Sequence, residues 1–252
     1  MTNWVFIRGL GRQKTHWKGF PEKLQARLGG DIHCLDLPGV GEKSPLKSPL
    51  RISEYSENLH QELSSLKSKA DPQTPWALVA VSLGGMVGLD WVSRFPSDFQ
   101  TLVTINTSSK DLSPLFHRLQ PRALKTVLRL FWSNDIRARE KAILELTTNL
   151  VTIDEELLDL WVSFDRQYPL TRPVFLRQLL AATGFRLPPS LPTRTLVLAS
   201  EQDHLAHPQC SRALARHFQT ELAVHPTAGH DLVLDAPEWA IDQLEKFMMS
   251  KK

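Results

Sequence analysis

Short apolar runs and stretches of helical spacing alternate along most of the chain. Trp4-Val5-Phe6-Ile7 is closed at once by Arg8-Gly9-Leu10-Gly11-Arg12, which predicts a strand leading into a glycine-rich loop. Trp17, Phe20, Leu24 and Leu28 then recur at helical spacing, and Gly29-Gly30 ends that helix. Ile32 to Leu37 reads as a second strand, followed by Pro38-Gly39-Val40-Gly41 and a loop holding Pro45 and Pro49. Ile52 to Leu66 reads as a helix capped by Ser53, with Glu54 to Glu62 supplying charge on its solvent side. Trp76 to Val81 is an apolar run long enough for a buried strand, and it stops at Ser82. Met86, Val87, Leu89, Trp91 and Val92 continue as a helix that Arg94-Phe95-Pro96 closes. Leu102 to Asn106 is a further strand.

From Thr107 to about Pro189 the strand-like runs cease. Helical periodicity takes over at Leu119 to Trp132, Ile136 to Leu150, Glu155 to Phe164 and Pro173 to Ala182. Strand signals return with Thr195 to Ser200, then a helix at Ser211 to His217, a strand at Glu221 to Val224 and an amphipathic helix at Trp239 to Met249. Strands alternating with helices predict an α/β fold, a mainly parallel sheet flanked by helices. The all-helical stretch reads as an insertion over one end of that sheet. The expected organisation is a core of residues 1–107 and 190–252 carrying a helical insertion at residues 108–189.

Composition narrows the classes only slightly. A chain of 252 residues suits one large domain with a substantial core. The net charge of +3 is too small to indicate a nucleic-acid partner. Cys34 and Cys210 are too few for a disulfide framework and match no metal-site spacing, so they read as free thiols in a reducing compartment. The first residues lack the charged start, long apolar stretch and small-residue cleavage site of a signal peptide. No run approaches the roughly 20 apolar residues of a membrane span. These features predict a soluble, cytoplasmic protein without a cofactor or metal.

The chemistry concentrates where strands end. Strand, Ser82, Gly84-Gly85 and helix are laid out as a nucleophile elbow, in which a sharp strand-to-helix turn projects the serine Oγ. The residues two positions either side must be small, and here they are Ala80 and Gly84, giving A-x-S-x-G. The plainer alternative makes Ser82 a helix N-cap. Asp203 and His230 each lie just past a later strand, and the loops beyond the strand C-termini of a parallel sheet gather at one edge. His225 is the runner-up for the base, while His204 and His207 flank Asp203. Asp231 and Asp235 are expected to cap or bridge on the surface, and the strand ending at Ile105 is followed by Asn106 and Thr107 rather than a carboxylate.

Five segments, in order, carry a resemblance: Phe6 to Gly11, Asp36 to Gly41, Ala80 to Gly85, Ser200 to Asp203, and Ala228 to His230. The chain resembles small esterases of the α/β-hydrolase superfamily, similar to the pimeloyl-carrier-protein methyl ester esterases. The resemblance implies a Ser82-His230-Asp203 triad, in that chain order, cleaving a carboxylic ester or a thioester through an acyl-enzyme. It also implies an oxyanion hole made by the backbone N–H groups of Leu10 and Leu83. Residues 108–189 would correspond to the family's cap, and the first strands of the usual eight are expected to be missing. Arg8 stands where relatives usually carry histidine; it would either set a positive charge near the site and favour an anionic substrate, or be a plain solvent-facing or salt-bridged arginine. Carbon–carbon bond hydrolysis uses the same triad, and a non-catalytic small-molecule binder is the competing class.

The helical insertion holds one further signal. Arg118, Arg122, Lys125 and Arg129 recur at spacings of three and four, which would align them on one helix face. That stripe is either a solvated face or a docking patch for an acidic partner such as an acyl carrier protein. Interleaved apolar residues, Leu124, Leu128 and Trp132 among them, would face the sheet and line an acyl pocket, or serve as plain core.

Overall fold

The computed structural model describes residues 1–250. Six strands form one sheet in the order β2-β1-β3-β4-β5-β6, with every neighbouring pair parallel. They are β1 (Asn3–Ile7), β2 (Ile32–Leu35), β3 (Trp76–Val81), β4 (Thr101–Ile105), β5 (Arg194–Ser200) and β6 (Glu221–His225). Helices α1 (Phe20–Leu28), α2 (Ile52–Lys67) and α3 (Leu83–Arg94) connect the first four strands. Five helices lie between β4 and β5: α4 (Leu115–Arg118), α5 (Pro121–Trp132), α6 (Ile136–Thr147), α7 (Glu155–Gln167) and α8 (Arg172–Gly184). Helix α9 (Gln209–Phe218) joins β5 to β6, and α10 (Leu232–Asp235) and α11 (Pro237–Met249) end the fold.

The central strands read as unbroken apolar runs because both faces of the sheet are covered. Successive side chains point to opposite faces. Val5, Ile7, Leu78 and Ala80 therefore pack with Leu59 and Leu63 of α2 and Val87 and Trp91 of α3. Trp4, Phe6, Val79 and Val81 pack on the other face with Phe20 and Leu24 of α1 and Ile241 and Leu244 of α11. Burying each aliphatic or aromatic side chain contributes about 1.5–3 kcal/mol, so these two layers anchor the sheet beneath the loops. The insertion has a small core of its own, built from Leu144, Leu157, Leu158, Trp161 and Val162.

Three element details depart from the sequence expectation. Ser53 does not cap α2: the helix starts one residue earlier, at Ile52, and Arg51 precedes it without a side-chain cap. The helix expected over Leu119–Trp132 begins two residues late, at Pro121, and a separate short helix, α4, ends just before it at Arg118. Gln120 takes extended backbone angles (φ −62°, ψ 147°) before Pro121, whose ring disfavours the helical conformation in the preceding residue, and the helix restarts at the proline. Helix α6 ends at Thr147, whose carbonyl accepts the backbone N–H of Asp231 at 2.8 Å. Cys34 is half-buried, Cys210 is buried, and neither is bridged.

Candidate active site

The chain leaves β1 toward β2 on one side and leaves β3 toward β4 on the other. Their C-terminal ends therefore diverge and open a crevice at the sheet edge, the place where α/β sheets bind ligands. Ser82 follows β3 at this point with φ 55° and ψ −115°, a left-handed conformation that costs a side-chain-bearing residue about 1–3 kcal/mol. The turn is held from several sides: the Ser82 N–H donates to Ile105 O at 2.8 Å, and Thr107 Oγ1 donates to Ser82 O at 2.7 Å. Gly84 is required by close approach, since a Cβ there would lie 2.6 Å from Arg8 O and 2.8 Å from Ile7 O. Ala80 is wholly buried, so the methyl group at the other small position is accommodated.

His230 and Asp203 meet at the same edge. His230 Nδ1 is 2.7 Å from Asp203 Oδ2, and both residues are buried. The other carboxylate oxygen, Asp203 Oδ1, accepts the backbone N–H groups of Leu205 at 2.8 Å and Ala206 at 2.9 Å, which fixes its plane. Burial works against a charged imidazole, but the charge of Asp203 and its hydrogen bond, supported by Asp231, outweigh it. The net direction is upward from the ordinary histidine value, with Arg8 opposing. Ser82 and His230 line one cavity, although no direct hydrogen bond joins Ser82 Oγ to the ring among the described contacts. Leu10 and Leu83 line the same cavity, and Leu83 is the first residue of α3, whose positive end lies there. His225, the other histidine considered for the base, accepts the backbone N–H of Ala228 at 2.9 Å through Nδ1 instead.

Asp231 differs from expectation, while Arg8 takes its ion-paired alternative. Asp231 is buried rather than at the surface, because Arg8 reaches it with two hydrogen bonds, Nη1 to Oδ1 at 3.0 Å and Nη2 to Oδ2 at 2.5 Å. The guanidinium also lies 5.0 Å from the centre of the Trp17 ring. The pair joins the loop after β1 to the loop carrying His230. Asp235 bridges too: its carboxylate accepts the N–H groups of Gly229, Asn149, Leu150 and Val151.

Asn106 is a residue the sequence reading passed over. It sits at φ 49°, buried, with Nδ2 donating to His230 O at 2.8 Å and to Ser200 Oγ at 3.0 Å, while its Oδ1 accepts the Ser200 N–H at 2.9 Å. It therefore ties the ends of β4 and β5 to the histidine loop. The available signal was the residue type, since asparagine is enriched at positive φ.

The cavity measures about 230 Å³ and is walled mainly by apolar side chains, among them Met86, Leu119, Val127, Leu130 and Phe131. Leu124, Leu128 and Trp132, expected in that wall, are outside it and 42%, 54% and 71% exposed. Helix α5 carries apolar residues on two faces, and it turns Ala123, Val127 and Leu130 inward. The basic stripe is also broken. Arg118 belongs to α4, lines the cavity and donates to the carbonyls of Ala182 and Thr183, leaving Arg122, Lys125 and Arg129 exposed on α5. The insertion is stitched to the site: Gln120 Nε2 donates to Asp203 O at 2.6 Å, and Asn149 Nδ2 donates to Gln202 O and Thr227 O at 2.9 and 3.1 Å. Among the described residues no helix is long and apolar enough to cross a membrane, and no acidic, histidine or cysteine cluster is arranged to hold a metal.

A parallel sheet with a strained serine at its edge and a buried histidine–carboxylate pair beside it defines a hydrolase-type α/β architecture. The profile of the Alpha/beta hydrolase family matches residues 4–243, and the chain belongs to that family. Two solved esterases share the fold. The esterase EaEST from Exiguobacterium antarcticum aligns at a TM-score of 0.78 and 15% identity, covering 99% of this chain and 92% of its own. A thermophilic esterase from Thermogutta terrifontis aligns at 0.76 and 18%, covering 98% and 89%. The biotin biosynthesis bifunctional protein BioHC of Teredinibacter turnerae is 32% identical over 114 residues, 44% of this chain. The match spans 17% of that larger protein.

Proposed function

We propose that this protein is a serine hydrolase that cleaves a carboxylic ester, with a thioester as the next choice. The observation that carries this reading is the buried His230–Asp203 pair at 2.7 Å, opening onto the cavity that the strained Ser82 also lines. His230 takes the Ser82 proton as Oγ attacks the acyl carbonyl, then protonates the leaving alcohol. Asp203, held by its two backbone N–H donors, fixes the tautomer and stabilises the imidazolium. The Leu10 and Leu83 N–H groups receive the oxyanion, and a water activated by His230 then releases the acyl group. The Ser82–His230 contact forms when substrate enters, as catalytic hydrogen bonds tighten in complexes. Residues 108–189 act as the cap over this chamber.

Hydrolysis of a p-nitrophenyl ester series, acetyl to dodecanoyl, tests the reading with wild type beside Ser82→Ala. Activity in the wild type that falls at least roughly a thousandfold in the variant is expected, since the triad acts as a unit. A wild type that is inactive and unlabelled by a fluorophosphonate probe would favour a non-catalytic binder. Labelling without ester turnover would favour carbon–carbon bond hydrolysis.

One observation favours a partner. Arg122, Lys125 and Arg129 are exposed on α5 with no ion-pair partner among the described residues, beside exposed Leu124 and Leu128. The likeness to carrier-protein esterases and the partial match to a biotin biosynthesis protein support an acidic acyl carrier protein docking there.

A further inference from the structure

Four arginines line the cavity: Arg8, Arg12, Arg118 and Arg139. Three of them have a carboxylate of the protein as counter-charge. Arg8 is paired with Asp231, Arg12 with Glu140 at 2.6 Å, and Arg139 with Asp165 at 2.6 Å. Arg118 has none within ion-pair distance among the described residues. Asp111 influences it only from further away and is itself paired with Arg186 at 3.0 Å. The contacts of the Arg118 guanidinium are neutral oxygens, all on residues that also line the cavity: Thr183 O at 3.1 Å, Ala182 O, and Ser108 Oγ at 3.5 Å. These use three of the five N–H groups an arginine carries and leave one on each terminal nitrogen.

The position is unusual for a charge. Burial disfavours the charged guanidinium and moves its pKa downward, yet an arginine stays protonated in a folded protein. The carbonyl end of α8 offsets only about half a unit of charge. A cation left in a mainly apolar chamber without a full counter-ion is an open half of an ion pair. We propose that the substrate carries a carboxylate remote from its scissile ester bond, and that Arg118 is the group that receives it. This inference rests on the ester-hydrolase reading and names the substrate class for that site. A carboxylate suits the place better than a phosphate. One cation balances one negative charge, whereas a phosphate brings about −1.5 to −2 and a larger desolvation cost. The planar guanidinium fork also matches a carboxylate in two-point contact.

The arrangement reassigns two residues. Arg8, the cation that the sequence pattern placed near the site, is neutralised by Asp231, while Arg118 leaves the surface stripe and enters the chamber. The competing structural role is clear: Arg118 caps the C-terminal end of α8. The experiment must separate the two.

Binding is measured by calorimetry in the Ser82→Ala background, where ligand is not turned over. One ligand arm is a series of monomethyl esters of C4 to C10 dicarboxylic acids, placing the carboxylate on the acyl side. A second arm is acetyl esters of ω-hydroxyalkanoic acids, placing it on the alcohol side. The dimethyl esters and the methyl esters of the acetoxy acids are neutral controls of matched length. At least one charged series binds more tightly than its control, and adding Arg118→Gln weakens it at least roughly tenfold, the size of a lost charge-assisted contact. The neutral controls change less than about threefold, and Arg118→Lys keeps part of the preference. Equal losses for charged and neutral ligands would reduce Arg118 to a helix cap and overturn the proposal. So would a Ser82→Ala protein that prefers every neutral control, a result that needs no change at Arg118 and is independent of folding in that variant. Failure of ester hydrolysis in the wild type is read separately, in the p-nitrophenyl series.

Discussion

Arg8 and Asp231 stand 223 positions apart, and neither signals the other in the sequence. Their pairing shows what local pattern omits. Ser82, Asp203 and His230 were legible because each follows a strand in a recognisable turn, and topology brings strand ends together without knowledge of side-chain packing. The partner of Arg8 depends on how two loops lie against one another, so Asp231 was expected at the surface. Burial makes the pair sensitive to half-removal. Asp231→Leu leaves a buried guanidinium uncompensated and is expected to destabilise the fold by about 3–5 kcal/mol, whereas replacing both residues with packed apolar side chains is expected to be close to neutral. Chemical denaturation of the two single variants, Arg8→Met and Asp231→Leu, and of the double variant checks this. Additive losses would show that the two side chains are not energetically coupled.

At the scale of the element, α5 shows where periodicity stops being informative. Ala123, Val127 and Leu130 recur at helical spacing, and so do Leu124, Leu128 and Trp132. Either set could have faced the sheet; only packing against the rest of the insertion selects the first. The break at Gln120 was readable in principle from Pro121, and it removes Arg118 from the stripe. The docking prediction accordingly narrows to three cations. Reversing Arg122, Lys125 and Arg129 to glutamate is expected to reduce kcat/KM on a carrier-linked ester at least roughly tenfold, mostly through association, while a small soluble ester changes less than about twofold. Steady-state kinetics on both substrates, repeated at raised salt, decides it. Equal loss on both would assign the residues to folding or to the chamber.

For the molecule as a whole, two buried histidines pull stability in opposite directions with pH. His16 is held well below the ordinary histidine value by burial, with Arg12 and Arg8 adding repulsion. It packs edge-on to Trp161 and Phe164 of α7, where the insertion meets the core. The unfolded chain takes up a proton near pH 6.5 that folded His16 refuses, so stability is lost as pH falls through about 6.5. His230 is the reverse. Its raised value gives a contribution fully present below about pH 6.5 and lost as pH rises through the folded-state value. Denaturant titrations between pH 5 and 8 should show a shallower acid loss in His16→Gln than in wild type, and a steeper one in Asp203→Asn. Identical slopes in all three proteins would remove both histidines from the balance. The parallel pairing and the sheet's two covered faces were expected in outline from apolar strands alternating with helices, whereas the spatial order of the six strands was not read from the sequence.

The stitches from Gln120, Thr147 and Asn149 have a consequence for redesign. They run from the helical insertion to the loops bearing Asp203 and His230, so those loops take part of their shape from what lies above them. Exchanging this insertion for one from another hydrolase would alter more than the shape of the chamber. A graft that carried only the new chamber walls would arrive without its anchor points, and His230 would sit on an unsupported ledge. A graft that retained Gln120, Thr147 and Asn149 in register would keep the floor of the chamber while the ceiling changed. In this molecule the chamber walls and the placement of Asp203 and His230 are inherited together.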